Sequence, residues 1–268
     1  MRLKSIVLIV VISIFSLLTD SAYSQDVVEV LTKAREAIKN LKVVKTKGKT
    51  MSGSVYTIEN NGVIDYENRS FSIIQSQADK AVSSIYFIEE TTYMYNGMID
   101  SWIKFGEDLG MFANVLDKDK LFSFFPADYE GTGFKMNIVG EEEVEGQLCY
   151  VVTSNIVDKA LAKKFIIKLL DSFVSEQIVD QFSKNPEAKD AYVEQYIASA
   201  KSTQWISKDN FFVMKINDKN EQNDGQGGIV ILENETIYYD FNQPAIIELP
   251  DEALEAKLIT AGDLGVGN

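Results

Sequence analysis

AVSSIYFIEETTYMYNGMIDSWIKF, residues 81–105, decides the fold class. Its runs on either side of Asn96-Gly97 are rich in aromatic and β-branched residues, and Asn-Gly favours the positive φ values of a two-residue type I′ turn. The stretch therefore reads as two antiparallel strands, with Tyr95 opposite Met98 and Met94 opposite Ile99. Side chains alternate along a strand, so counting outward from the turn gives two faces. One face carries Glu89, Thr91, Tyr93, Tyr95, Met98, Asp100, Trp102 and Lys104, with Glu89 opposite Lys104. The other carries Ile88, Met94, Ile99, Ile103 and Phe105, and the rest of the chain must cover it.

Upstream of this hairpin, KVVKTKGKTMSGSVYTIE and GVIDYENRSFSIIQ are β-type runs joined at Asn60-Asn61-Gly62, a turn signal. Before them, Val27, Val28, Leu31, Ala34, Ile38 and Leu41 recur at three- and four-residue spacing, which predicts one amphipathic helix. Downstream, Phe112, Leu116, Phe122 and Phe125 return to helical spacing until Pro126 ends the run. FKMNIVGEEEVEGQLCYVVTSNIV reads as two strands around an acidic connection. Asp158 to Lys184 reads as a long helix with an apolar face, and Glu187 to Ala200 as a second one after Asn185-Pro186. Two further hairpins are expected, TQWIS with NFFVMKI around Lys208-Asp209, and GGIVILE with TIYYDF around Asn234. A last short strand, AIIEL, lies between Pro244 and Pro250, and a helical turn follows Asp251.

The first residues predict an address. MRLK carries two positive charges, SIVLIVVISIFSLL is apolar but shorter than the roughly 20 residues that span hydrocarbon, and Ala22-Tyr23-Ser24 suits signal peptidase. Residues 1–24 are thus expected to be a cleaved signal peptide and the mature chain to start at Gln25. No Cys follows the apolar run for lipid attachment, so a soluble periplasmic or secreted protein is expected. Cys149 is the only cysteine, so no internal disulfide forms and a buried core must supply stability. The expected mature chain of 244 residues suffices for a single domain, 25–268. It keeps 24 basic and 39 acidic residues, a net charge of −15 that repels nucleic acid and anionic membrane surfaces.

The chain contains no histidine. Ser-His-Asp and Cys-His catalysis, histidine zinc sites and imidazole acid–base steps are closed to it. Ser101 and Lys104 have the spacing of a serine–lysine pair, but in a strand residues three apart face opposite ways. Glu141, Glu142, Glu143 and Glu145 point in different directions along strand and turn and do not predict a metal site. The run from Asn220 through Gln222, Asp224 and Gly225 imitates a calcium loop, but Ile231 stands where the bidentate Glu is needed. A polar hairpin loop is the better reading of 218–228. Gly225-Gln226-Gly227-Gly228 lacks the Lys-Ser/Thr of a phosphate loop. No catalytic residues, cofactor or metal are predicted, and an enzyme is not expected.

Four segments carry a resemblance: TYMYNGMIDSWIKF at 92–105, VGEEEVEGQLCYVV at 139–152, STQWISKDNFFVMKI at 202–216 and YYDFNQPAIIELPDEAL at 238–254. In order and texture the chain resembles the outer-membrane lipoprotein carrier superfamily, the LolA-like proteins, which also includes exported lipid-binding lipoproteins of mycobacteria. The resemblance implies an α+β fold in which a curved antiparallel sheet, an open half-barrel, is covered on its concave side by helices and can hold acyl chains. The carriers also hold an Arg inside the half-barrel, whereas this chain has only Arg35 and Arg69 after the signal. A two-helix insertion at about 158–200 enlarges the simple carrier plan.

Two functions are expected from these readings. In the first, a lipid, acyl chain or other hydrophobic ligand occupies a cavity lined by Ile88, Met94, Ile99, Ile103 and Phe105 under Phe112, Leu116, Phe122 and Phe125, serving envelope lipid or lipoprotein trafficking. In the second, Tyr93, Tyr95 and Trp102 on the opposite face bind a protein or an envelope polymer.

Overall fold

The amphipathic spacing after the signal region folds as α1, Gln25–Lys39, which buries Val27, Val30, Leu31, Ala34 and Ile38 along one side. The exposed side carries charge, including the Lys33–Glu29 pair at 2.6 Å. In this computed structural model the described residues are 25–53, 56–78, 80–97, 99–105, 116–118, 131–173, 190, 193–194, 197–198, 201–223 and 228–259. The expected signal peptide, Phe112, Phe122, Phe125 and most of the second expected helix lie outside them.

The strands are β1 (Val43–Ser52), β2 (Tyr56–Asp65), β3 (Ser70–Gln77), β4 (Lys80–Ile88), β5 (Thr91–Asn96) and β6 (Ser101–Phe105). After them come β7 (Phe134–Val144), β8 (Gln147–Ile156), α2 (Lys159–Phe173), β9 (Lys201–Ser207), β10 (Val213–Asn223) and β11 (Ile229–Tyr239). The described chain closes with α3 (Asp251–Leu254) and β12 (Lys257–Ile259). All twelve strands form one sheet in the order β12-β6-β5-β4-β3-β2-β1-β11-β10-β9-β8-β7. Every neighbouring pair is antiparallel except β12 with β6. The sheet is open, with β12 and β7 at its edges. The α+β class and the open antiparallel sheet are as expected.

A flat sheet of this many strands, at about 4.8 Å spacing, would be roughly 50 Å across. The 15 residues of α1 make a helix only about 22 Å long. Yet one apolar cluster joins α1 to side chains from every strand between β1 and β11, and Ile259 of β12 packs against it. Such sharing requires the sheet to curl around the helix. The face turned to α1 is called the inner face.

The strand pairing corrects several sequence expectations. Residues 81–105 contain three strands, because β4 and β5 meet at a two-residue turn, Glu89-Glu90, with φ of 50° and 62°. Neither residue signals such a turn. Asn96-Gly97 is not a two-residue turn: β5 pairs with β6 as Asn96–Ser101, Tyr95–Trp102, Met94–Ile103 and Tyr93–Lys104. Gly97 is needed for another reason, since a Cβ there would sit 2.9 Å from the Ala81 carbonyl oxygen. The pairing is displaced by four residues from the expected one, an even number, so Tyr93, Tyr95, Trp102 and Lys104 still share one face and Met94, Ile103 and Phe105 the other. Tyr93, not Glu89, stands opposite Lys104.

Asn60-Asn61-Gly62 lies inside β2 and Asn234 inside β11, where turns were expected. AIIEL is not a strand; the last strand is β12, beyond α3. The acidic connection is a two-residue turn, Glu145-Gly146, both at positive φ, between Val144 and Gln147. α2 starts where Asp158 accepts hydrogen bonds from the backbone N–H groups of Ala160 and Leu161 at 2.9 and 3.0 Å, a side-chain N-cap.

Candidate functional site

The inner face has two zones. Near α1 it is apolar, with Ile64, Phe71, Ile85, Phe87, Met94 and Phe105 buried in one cluster. The Phe71 and Phe87 rings stack at 5.9 Å, and Ile103 packs against the cluster half-buried. Leu116 is buried in the same cluster. Two residues on, the Lys118 ammonium donates to the carbonyls of Lys39 and Leu41 at 2.7 and 2.8 Å, a cation at the C-terminal end of α1.

Of the residues expected to line a cavity, Met94, Ile103, Phe105 and Leu116 thus come together. Two do not. Ile88 pairs with Thr91, which puts it on the face of Tyr86 and Tyr93, because the Glu89-Glu90 turn interrupts the alternation on which the expectation rested. Ile99 sits in the loop between β5 and β6 and is 66% exposed. Its backbone N–H donates to the Asn96 carbonyl at 3.3 Å.

The second zone is polar, and the sequence reading missed it. Across the strands, Ser202 pairs with Asp218, Asp218 with Asn234 and Asn234 with Thr50. Asn60 donates to Thr50 Oγ1 at 3.1 Å and bridges to the next group of strands. There Asn60 pairs with Gln75, Gln75 with Ser83, Ser83 with Asn96 and Asn96 with Ser101. One polar residue from each of nine consecutive strands, β9 to β6, therefore runs across the inner face, and Asn220 adjoins the row on β10.

Only part of this row is internally bonded, for instance Gln75 Nε2 to Asn60 Oδ1 at 3.0 Å. Gln75 Oε1, Ser83 Oγ, Ser202 Oγ, Asn220 Oδ1 and Asn234 Oδ1 are buried without a hydrogen-bond partner among the described residues. A buried polar atom left unpaired costs about 1–3 kcal/mol. Five of them together rival the whole stability of a typical domain, about 5–15 kcal/mol. Hydrophobic patterning could not reveal the row, because Asn60 and Asn234 carry the residue type that also marks turns.

Charge on this surface is confined to its margins apart from one residue. Among the ladder positions of β1–β3, β5, β6 and β8–β11 on the inner face, Asp218 is the only charged residue, whereas Lys80 pairs with Gln77 at the end of β4, Lys257 with Ile103 on the β12 edge, and Glu141 and Glu143 with Tyr150 and Leu148 on the β7 edge. Nearby Tyr238 has its phenol raised well above the ordinary range, chiefly by burial and further by the Asp218 charge. Burial alone pushes Tyr66 up to about 12.

The outer face holds the ions. Glu235 meets Lys215 at 2.7 Å and Lys49 at 3.5 Å; the Lys215 hydrogen bond holds the Glu235 carboxyl below the usual carboxylate range. The expected acidic run is dispersed among separate partners. Glu142 accepts from the Trp205 indole N–H at 2.7 Å, Glu141 from Lys208 at 2.6 Å, and Glu145 pairs with Lys47 at 3.0 Å. Toward β6 this face carries Tyr86, Tyr95 and Trp102, whose rings lie 5.9 and 5.3 Å apart about Trp102, and Tyr93 beside them. Ser101 and Lys104 fall on opposite faces of β6, Ser101 with Asn96 and Lys104 with Tyr93.

No protein-family model and no curated protein match the chain. Among solved structures it is similar to the lipoprotein LppX of Mycobacterium tuberculosis, at 12% identity and TM-score 0.47 over 82% of this chain and 97% of that one. It is similar to LprF of Mycobacterium bovis, at 13% identity and TM-score 0.49 over 85% and 98%. A LolA superfamily protein from Nitrosomonas europaea aligns at 11% identity and TM-score 0.26 over 86% and 97%.

Proposed function

We propose that this is an exported, non-catalytic protein that binds a lipid, acyl chain or other hydrophobic ligand against the inner face of its sheet, in the service of envelope lipid or lipoprotein trafficking. The observation that carries the reading is the segregation of charge. Lysines and carboxylates crowd the outer face of β1, β10 and β11, while the inner-face ladder of β1–β3, β5, β6 and β8–β11 holds one charged residue, Asp218, and is covered among the described residues by α1 with Phe165 of α2. A sheet this wide, with so little charge across the middle of its inner surface, suits an occupant that is itself largely apolar.

Native mass spectrometry of the purified mature chain, with uptake of a fluorescent lipid, tests the proposal. Bound lipid or saturable uptake is expected, and Ile103→Glu should remove it while Ile99→Glu, in the exposed loop, leaves it intact. Ile103→Trp provides a bulky uncharged change should the Glu variant fail to fold. A folded chain that carries no lipid and takes up no probe overturns the reading.

The ring cluster of Tyr86, Tyr95 and Trp102 favours a second reading, in which the outer face binds a protein or envelope polymer. In that case Trp102→Ala abolishes partner capture without changing lipid uptake; unchanged capture by the folded variant eliminates this reading.

A further inference from the structure

The two ends of the sheet differ in chemistry. At the end where β8 stops and β9 and β11 start, three large aliphatic side chains stand in solvent. They are Val157 after β8, Ile229 at the start of β11 and Ile99 between β5 and β6, which are 63%, 71% and 66% exposed. The same end carries Lys80, Lys159, Lys164 and Lys201, exposed and in no ion pair among the described residues. Carboxylates described there are engaged: Asp158 caps α2, Asp100 accepts from the Tyr95 hydroxyl, Asp190 and Glu194 hold Lys163, and Glu221 has a partner of its own. At the opposite end every hairpin turn carries a carboxylate, Glu67, Glu89-Glu90, Glu145 and Asp209 in chain order. We infer that the end with lysine and aliphatic side chains docks on a lipid bilayer bearing anionic headgroups, with the acidic turns facing away from it. This goes beyond ligand binding on the inner face and does not depend on it.

The start of α2 forms the centre of this surface. Ala162 and Ile166 turn inward to one apolar cluster, and the Phe165 ring meets Phe134 of β7 edge-on at 5.9 Å. At helical spacing the other side presents Leu161 and Lys164, both exposed, with Lys168 one turn further on. A bilayer interface answers both kinds of side chain. Aliphatic groups enter the acyl boundary, while lysine stems extend to place their ammonium groups among the phosphates. The expected mature chain has a net charge of −15, which opposes approach to anionic lipid at long range. That repulsion is weak at this end, because charge is screened over about 8 Å in physiological salt. The 11 residues of β11 put the acidic turns roughly 30 Å away.

The test is flotation of the purified mature chain with vesicles of phosphatidylcholine alone and of phosphatidylcholine mixed with phosphatidylglycerol. Expected is binding to the mixed vesicles at least about tenfold tighter than to phosphatidylcholine, with the difference shrinking as salt rises. Lys159→Gln combined with Lys164→Gln should weaken docking about 25-fold, about fivefold for each lysine. Val157→Asn combined with Ile229→Asn should weaken it severalfold on both kinds of vesicle. All four side chains are exposed, so the thermal midpoint of each double variant should match the parent and confirm its fold.

Glu89→Gln combined with Glu90→Gln separates position from net charge. It removes two negative charges at the far end and should leave docking unchanged within about twofold. Equal binding to both kinds of vesicle, undiminished docking of the folded lysine variant, or docking strengthened by the Glu89 and Glu90 changes overturns the inference. Docking by a chain that takes up no fluorescent lipid upholds this inference and overturns the lipid-binding reading. Uptake without docking on either vesicle does the reverse.

Discussion

Tyr95 stands opposite Trp102 in the β5–β6 ladder, with ring centroids 5.3 Å apart and planes tilted by 42°. Tyr86 closes on the same indole from β4 at 5.9 Å, and the Tyr95 hydroxyl donates to Asp100 Oδ1 at 2.8 Å. Aromatic pairs of this kind contribute about 0.5–1.5 kcal/mol each beyond the area they bury. Trp102→Ala removes two of them near an edge of the sheet. A loss of about 2 kcal/mol in urea unfolding is expected, with emission from the remaining Trp205 unchanged in the native state. An unchanged unfolding midpoint would show that the ring cluster has no structural role.

The same pair shows what was legible in the sequence. Alternation placed Tyr95 and Trp102 on one face and Met94 and Ile103 on the other, and the faces survive although the register does not, because a displacement by an even number of residues preserves them. Ile88 was misplaced because the true turn uses Glu89 and Glu90, residues without a propensity for positive φ. Asn60 and Asn234 misled in the opposite sense. They carry a turn signal but lie within strands, where their amides belong to the polar row of the inner face. Local turn chemistry and the demand for inner-face hydrogen bonding use the same residue, and only the pairing tells them apart.

Cys149 offers a probe of the folded state. It is fully buried, its Sγ–H donates to the Gln147 carbonyl at 3.4 Å, and burial pushes its thiol up to about 11. The thiolate is the reactive form, so at pH 8 the native chain should react with a disulfide reagent at least about a hundredfold more slowly than the unfolded chain. Denaturant titration of the reaction rate should follow global unfolding. Rapid modification of the native protein would mean that β8 and β9 separate easily.

Alkaline pH should destabilise the fold in a defined window. Tyr66 is raised to about 12 and Tyr238 is raised further in the same direction, both by burial. Below pH 10 both phenols are protonated in folded and unfolded chains, and stability is independent of them. Above pH 10 the unfolded chain releases these protons while the folded chain retains them, so stability falls as pH rises toward 12, by about 1.4 kcal/mol per pH unit for each group. Urea unfolding at pH 9, 10 and 11 measures the slope. Tyr66→Phe should reduce it, and an identical slope in that variant would remove Tyr66 from the account.

The Glu89-Glu90 turn is a site where the chain can be improved. Both residues hold positive φ, 50° and 62°, in a two-residue connection between Ile88 and Thr91. A side chain with a Cβ is disfavoured there by roughly 1–2 kcal/mol per residue, and two neighbouring carboxylates add repulsion. Asn-Gly is the pair that this turn geometry favours. Replacing Glu89-Glu90 by Asn-Gly should raise stability by about 1–2 kcal/mol, seen as a higher thermal midpoint with the far-UV spectrum unchanged. Most of the gain should come from Glu90→Gly, because glycine alone carries no Cβ penalty at positive φ. The single Glu89→Asn variant should gain less, since asparagine merely tolerates the left-handed region. A double variant no more stable than the parent would show that β4 and β5 are not joined by the turn described.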